Sequence, residues 1–432
     1  MTNASASGTV TNSLATPHAQ QMSTYVFALF FILGGITSLN DVLVPKLKHL
    51  FSLSYTEAML VQSSFFFAYF VASIPAGMLI SRIGYMRAAV IGLLLMAAGC
   101  LLFIPATQSA VFPAFLGALF VLAIGVTTVQ VVANPLLALL GAAATAPGRL
   151  TLGHAFNSLG TTVAPYMGAI LILGSLNAVD TSALSPSELT SFLAQEASVI
   201  SSTYAGITLF ICLVAMIVWL KRNELQSSTR PERLNPLSAL NLLKQPRFAL
   251  GTACIFLYVG AEVTIGSLIT DYLMLPTTLA LPAESAGKHV AFYWGGALVG
   301  RFIGSALMRT FAPGKLLAFA ATAVIVLLTV SATTQGVVAG WSLLAVGLFN
   351  SIMFPTIFTL ATAGLGHRAA EGSGLFCCAI VGGAFIPPLT GYAADLSTLA
   401  MALSVPAACY AGIAIYGWYA RAPKHEHSLM RD

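Results

Sequence analysis

Twelve stretches of about 20 mostly apolar residues follow one another along this chain, leaving only short polar connections between them. A bilayer-spanning helix needs about that length, and in hydrocarbon only a helix or a closed barrel can satisfy its own backbone. The stretches cover 24–46, 58–80, 87–107, 111–138, 151–174, 202–221, 248–273, 289–309, 316–333, 338–362, 373–394 and 398–420. Of the 432 residues 57% are hydrophobic and only 8% charged, whereas a soluble domain carries about 25% charged residues. The expected class is an all-α membrane protein of twelve transmembrane helices. The second half of span 1 is its less apolar part and contains Asp41, which places Asp41 toward that span's outer end.

Lys and Arg set the orientation, because connections on the cytoplasmic side carry the excess. One set of alternating connections and the C-terminal tail hold Arg82, Arg87, Arg149, Lys221, Arg222, Arg230, Arg233, Lys244, Arg247, Arg309, Lys315, Arg368, Arg421, Lys424 and Arg431; the other set holds Lys46, Lys48 and Lys288. Both termini and the linker 222–247 are therefore expected in the cytoplasm. The division is a tail 1–23, a six-helix bundle 24–221, the linker, a second bundle 248–421 and a tail 422–432. Residues 1–23 lack the basic and apolar regions of a signal peptide and read as a disordered cytoplasmic tail. The segment 175–200, with Asp180, Glu188 and Glu196, reads as an outward-facing loop. The net charge of +5 is spread over short loops and forms no nucleic-acid-binding patch. Six cysteines lie in apolar runs without C-x-x-C spacing and read as packing side chains, with no metal or disulfide implied.

The two bundles echo each other. Asp41 pairs with Glu262, Pro135 with Pro355 and Pro165 with Pro387, each at an offset of 220 to 222 positions, and the basic turn Arg82–Arg87 recurs as Arg309–Lys315. Four matches in one order argue for duplication. Parallel repeats about an axis along the membrane normal build the major facilitator fold and put a substrate site between the halves near mid-membrane.

An ionisable group inside a membrane is costly and functional by default. Asp41, in TSLNDVLVP, either pairs with Lys46 or Lys48 at the interface or faces a cavity as a cation-binding carboxylate. Glu262, in FLYVGAEVTIGS, lies deep in span 7 and is the stronger coupling candidate; its oxygens suit a proton or Na⁺. Arg301 in span 8 reads as a structural cation held by a carboxylate or a helix C-terminus, and Asp271 as interfacial. Amides form a second set. Gln130 and Asn134 share one face of span 4, His154 and Asn157 share one face of span 5, and Asn40 and Asn350 join them from spans 1 and 10. Amides both donate and accept, as sugar hydroxyls do, although polar groups also glue helices together. His154 is read first as a neutral hydrogen-bonding group and second as a proton shuttle. Phe292, Tyr293, Trp294 and Phe354 are candidates to stack on a sugar ring, or ordinary packing residues.

The segments LNDVLVP, SIPAGMLISRIGYMR, ANPLLALLG, RLTLGHAFNSLG, YVGAEVTIGS, GRFIGS and NSIMFPTIF resemble the fucose–galactose–glucose/proton symporter family of the major facilitator superfamily, over residues 24 to 420. Within it the chain is most similar to the bacterial glucose/galactose transporter branch. The turn Arg82-Ile83-Gly84-Tyr85-Met86-Arg87 resembles the superfamily's cytoplasmic gate signature, with Ser81 where an Asp is usual. The resemblance implies sugar import with H⁺ or Na⁺ and assigns the family's span 1 carboxylate to Asp41. The family's span 4 Glu is here Gln130, which cannot titrate, while a carboxylate stands in span 7 as Glu262. The span 5 Gln/Asn pair is here His154 and Asn157, and a span 10 Tyr is Phe354.

These readings imply a monomer in the bacterial cytoplasmic membrane that imports a hexose of glucose, galactose or mannose type. N-acetylglucosamine, fructose and fucose are alternatives, and a proton-coupled drug antiporter is the rival from another class. No cofactor is expected beyond the co-transported H⁺ or Na⁺, with possible Na⁺ near Glu262. In the expected cycle Asp41 and Glu262 take the cation, the amides take the sugar, the halves rock, and Arg82 and Arg87 help close the cytoplasmic side. No enzyme motif such as H-E-x-x-H or G-x-S-x-G occurs.

Overall fold

The computed structural model describes residues 17–109, 111–139, 146–174, 185–222, 240–308, 310–363, 365 and 369–421. Most of the tails 1–23 and 422–432, the linker core 223–239, Asp180, Arg309 and Arg368 lie outside the described residues. The described elements are helical throughout. In the first half they are α1 (Pro17–Phe51), α2 (Tyr55–Ile83), α3 (Tyr85–Ser109), α4 (Phe112–Leu139), α5 (Ala146–Gly168) and α6 (Pro186–Leu220). The second half holds α7 (Pro246–Met274), α8 (Ala283–Leu307), α9 (Pro313–Thr333), α10 (Gly336–Asn350), α11 (Met353–Thr362), α12 (Ala369–Ala379), α13 (Gly382–Leu396), α14 (Leu399–Ala402) and α15 (Ser404–Tyr419). Among the described residues, eleven segments are long and apolar enough to cross a bilayer. The expected twelfth span, 289–309, forms α8, which carries Glu284, Lys288 and Arg301 and falls outside those eleven.

Local chemistry explains where helices start and bend. Ser54 and Ser185 open α2 and α6 with reciprocal capping boxes to Glu57 and Glu188. Proline at the first positions of α6, α7 and α9 costs no hydrogen bond there. Pro135 and Pro165 lie inside α4 and α5, and α5 passes into a π-helical turn, Ala169–Leu173, just beyond Pro165. In the second half the same repeat positions accompany complete breaks. Span 10 divides into α10 and α11 just before Pro355, and span 11 into α12 and α13 before Pro387. A proline cannot bond the carbonyl four residues back, so the turns preceding these prolines are the weak points.

Two expectations need correction. Span 1 does not end near residue 46: α1 runs to Phe51, so Asp41 is buried within a long helix and not at its outer end. The segment 175–200 is not a loop throughout, because α6 starts at Pro186. Glu196 is then a buried helical residue that receives an ion pair from Lys46 across the α1–α6 contact.

Helices α1 to α6 pack among themselves, led by α3–α4, α1–α5, α3–α6 and α2–α4; α7 to α15 do likewise, led by α9–α15, α8–α10 and α9–α10. The two groups meet through α2–α13, α5–α8 and α1–α7. The duplication maps span 2 onto span 8 and span 5 onto span 11. It therefore maps the first of these contacts onto the second and the third onto itself, as a pseudo-two-fold axis requires.

Candidate substrate and cation site

Asp41 sits at the α1–α7 contact, 2% exposed. Three side chains from three other helices donate to it. Gln62 Nε2 on α2 and Ser267 Oγ on α7 reach Oδ1 at 3.2 and 3.1 Å, and Trp294 Nε1 on α8 reaches Oδ2 at 2.9 Å. Gln62 Nε2 also donates to Ser267 Oγ at 2.6 Å. Asp41 thus ties the halves together, since Ser267 and Trp294 belong to the second half. Gly266 makes the approach possible, because a Cβ there would stand 3.1 Å from Asp41 Oδ2. Neither expected lysine partner is used. Lys46 pairs with Glu196, and Lys48 pairs with Asp271 at 2.8 Å. Donors to a charged acceptor contribute about 1.5–3 kcal/mol each, which offsets part of the several-kcal/mol cost of burying a carboxylate.

Glu262 is one of two residues of α7 between Val259 and Asp271 to keep partial exposure, the other being Asp271 itself at the helix end. Its Oε1 accepts from Tyr258 Oη at 2.6 Å, and its backbone carbonyl accepts from Tyr293 Oη at 3.1 Å. Asn350 is fully buried beside them. Its Nδ2 donates to Tyr293 Oη at 2.8 Å, and its Oδ1 accepts from Tyr410 Oη at 2.8 Å. The side chain read as a sugar ligand therefore spends its amide within the protein. Phe354 packs near Tyr258, ring centroids 6.3 Å apart.

The amides of the first half are only partly engaged. Gln130 Oε1 accepts from Tyr69 Oη at 2.9 Å, and Asn157 Nδ2 donates to the Phe30 carbonyl at 3.1 Å. Both amide atoms of Asn40, together with Asn134 Oδ1 and Gln62 Oε1, are buried without a protein partner. His154 lies exposed on α5, its ring 5.3 Å from that of Phe30. Arg301 crosses from α8 to α5, donating to the His154 carbonyl at 3.0 Å and to Ser158 Oγ. It is held by a carbonyl and a hydroxyl, and not by a direct ion pair. Phe292 is turned away from the site, packing its 54% exposed ring on Trp341 at 5.5 Å. Arg82 and Arg87 are exposed at the α2–α3 turn.

Sequence reasoning missed Gln62, Ser267 and Tyr258, and named Trp294 only for stacking. Gln62 had a usable signal, an amide inside an apolar span; Ser267 and Tyr258 are too common in helices to stand out.

The ties between halves continue at one end of the bundle, where α1, α7 and α13 end and α2 and α8 begin. Lys48 meets Asp271 there, and Asp395 at the end of α13 accepts from the Tyr55 and Thr56 N–H groups, each at 2.8 Å. Gly287 brings the start of α8 onto Leu173 and Ala169 at the end of span 5. This end of the bundle is closed over Asp41.

A two-bundle helical protein whose buried carboxylate is liganded from both halves is a membrane transporter working at its own pseudo-symmetry axis. Residues 26–388 match the Major Facilitator Superfamily, and the chain belongs to it. It is 48% identical over 389 residues to the glucose/galactose transporter of Brucella abortus, covering 90% of this chain and 91% of that one. To the L-fucose-proton symporter of Escherichia coli it is 33% identical over 403 residues, covering 90% of each. A crystal structure of the Major Facilitator Superfamily transporter FucP in the outward conformation aligns with a TM-score of 0.69 at 29% identity, over 94% of this chain and all of that one.

Proposed function

We propose that this chain imports a hexose of the glucose/galactose type together with a proton, by alternating access, across the bacterial cytoplasmic membrane. The observation that carries the reading is Asp41. It is a buried carboxylate with no cationic partner among the described residues, held by donors from both halves, so any change in its charge acts on the contact between the halves. Protonation weakens the reason for Gln62, Ser267 and Trp294 to converge and deprotonation restores it, so the charge on Asp41 sets how tightly the halves are held at this point.

Glu262 is the second coupling carboxylate. Asn40, Gln130, Asn134, His154 and Asn157 form the polyol-binding set, with Phe354 at its edge. Unsatisfied amide atoms on Asn40 and Asn134 support this assignment, since a buried amide without partners costs about 1–3 kcal/mol and sugar hydroxyls supply both roles. The basic bias places both termini, Arg82 and Arg87 in the cytoplasm, with twelve spans and the closed end of the bundle outside. Arg82 and Arg87 then serve the cytoplasmic gate. Two six-helix halves joined by 222–247 are the rocking bodies. The proposed transporting unit is a monomer. The relatives' names favour H⁺ over Na⁺.

Uptake of radiolabelled glucose, galactose, fucose and N-acetylglucosamine into proteoliposomes tests this, with proton and sodium gradients imposed separately. Accumulation of glucose or galactose under the proton gradient, abolished by Asp41→Asn, is expected. Sugar accumulation driven by sodium alone, or none with either ion, overturns it.

A further inference from the structure

Span 10 is broken at Ser351–Ile352, between α10 and α11. Asn350 is the last residue of α10, and Pro355 downstream has no N–H for the Ser351 carbonyl. The Asn350 backbone carbonyl accepts a hydrogen bond from Tyr258 Oη at 2.9 Å. The same hydroxyl lies 2.6 Å from Glu262 Oε1. One hydroxyl has one proton and cannot donate to both oxygens.

The neighbouring groups have fixed roles. Tyr410 donates to Asn350 Oδ1, Asn350 Nδ2 donates to Tyr293 Oη, and Tyr293 donates to the Glu262 backbone. These bonds anchor the Asn350 side chain whatever the charge on Glu262. Around Glu262 the charged or titratable groups are Tyr258 on its own helix, Tyr293 and Arg301 on α8, Tyr410 on α15 and Asp41 on α1. Of these only Tyr258 also touches the backbone at the break.

We infer that the Tyr258 hydroxyl is a two-position hydrogen-bond switch that carries the charge state of Glu262 to the break in span 10. With Glu262 ionised, the hydroxyl donates to the carboxylate and the Asn350 carbonyl loses that donor. With Glu262 protonated, its own O–H donates to Tyr258 Oη, and the tyrosine proton turns to the Asn350 carbonyl. The two states differ by the one proton taken up on Glu262; Tyr258 keeps its own proton throughout, and the direction of donation between the two side chains reverses. A proton taken up at Glu262 thereby strengthens the break in span 10. Tyr258 and Asn350 are positioning residues, and this inference rests on Glu262 being a coupling carboxylate.

Hydrogen–deuterium exchange on the full-length protein in nanodiscs tests it. The readout is the peptide spanning 345–356, corrected for intrinsic base catalysis and compared with a control peptide in α3. In the wild type, exchange is expected to fall about fivefold from alkaline to acid pH, the equivalent of one net hydrogen bond. Glu262→Gln, whose amide donates to Tyr258 as the protonated acid does, should be slow at every pH. Tyr258→Phe should be fast at every pH, and should lose sugar accumulation while keeping sugar exchange. A wild-type peptide without the pH step, or a Tyr258→Phe protein that retains it, overturns the switch. If Tyr258→Phe does not fold, a pH step surviving in Glu262→Gln overturns it equally. The exchange experiment needs no sugar, so a wrong substrate leaves its outcome unchanged.

Discussion

At the scale of single residues, the chain spends its few intramembrane charges with visible economy. Asp41 and Glu262 stand out in the sequence because nothing nearby in the apolar runs justifies them. Their partners do not stand out. Ser267 and Trp294 are single residues within long helices that matter only because α7 and α8 bring them to α1, and a linear pattern does not contain that juxtaposition. Asn350 shows the reverse: an amide in an apolar span looks free for substrate, yet two tyrosines from other helices occupy it. The donors to Asp41 are separable in an experiment. Trp294→Phe removes the Oδ2 donor and keeps the ring; Ser267→Ala removes one Oδ1 donor and leaves Gln62. Each removes a charge-assisted bond of about 1.5–3 kcal/mol, so gradient-driven accumulation in proteoliposomes should fall roughly tenfold or more. Sugar exchange at equal concentrations should change little. A loss of both in a folded protein would make these residues substrate ligands and not coupling residues.

At the scale of elements, the apolar runs located the eleven segments that, among the described residues, are long and apolar enough to cross a bilayer, because in lipid a run of that length has no alternative to a helix. What they could not show was where amphipathic ends extend it. The start of α6 is polar enough to read as a loop, but the capping box at Ser185 begins the helix at Pro186. Hydrogen bonds from the Ser185 hydroxyl and N–H hold the Glu188 carboxylate below its usual range. A depressed folded-state value stabilises the cap above the ordinary glutamate pKa, and this is lost as pH falls through the lowered one. Amide exchange over the first turn of α6 should therefore rise only below about pH 4, and Ser185→Ala should weaken that pH dependence, because the residue-185 N–H still donates to Glu188. The α2–α3 turn makes a different demand. Gly84 has φ 84° and ψ 167°, and its N–H donates to the Ile80 carbonyl at 2.8 Å. Side-chain-bearing residues reach that conformation at a cost of about 1–3 kcal/mol. Gly84→Ala should lower the melting temperature in detergent by several degrees and slow transport by misaligning Arg82 with Arg87; an unchanged melt would mean the turn relaxes freely.

At the scale of the whole molecule, duplication was legible from matched prolines and carboxylates, and with it the plan of two halves about one axis. The state of that axis was not, because one sequence encodes every conformation of the cycle. The structure is closed at the end where Lys48 meets Asp271 and Asp395 meets α2. The second of these contacts is the better defined. Asp395 accepts two backbone N–H bonds and the Thr56 hydroxyl at the first turn of α2, where the helix dipole also favours an anion. The Lys48–Asp271 pair is partly exposed and adds at most about 1 kcal/mol. An anion capping a helix start contributes about 0.5–2 kcal/mol, so the two together hold this end shut by a factor of roughly ten. The double variant Asp395→Asn with Asp271→Asn should give that factor back. Spin labels at the exposed positions Ser52 and Ser397, on a background without native cysteines, report the separation of α2 from α13 directly. Wild-type protein should show mainly the short distance. In the double variant a longer distance should grow to a comparable or larger share, and high salt should move the wild type only part of the way, since backbone donors to Asp395 are less screened than the exposed pair. Unchanged distance distributions would show that close packing, of Gly391 on α13 against the Tyr55–Thr56 backbone and of Gly287 against Leu173 and Ala169, and not the carboxylates, keeps this end closed.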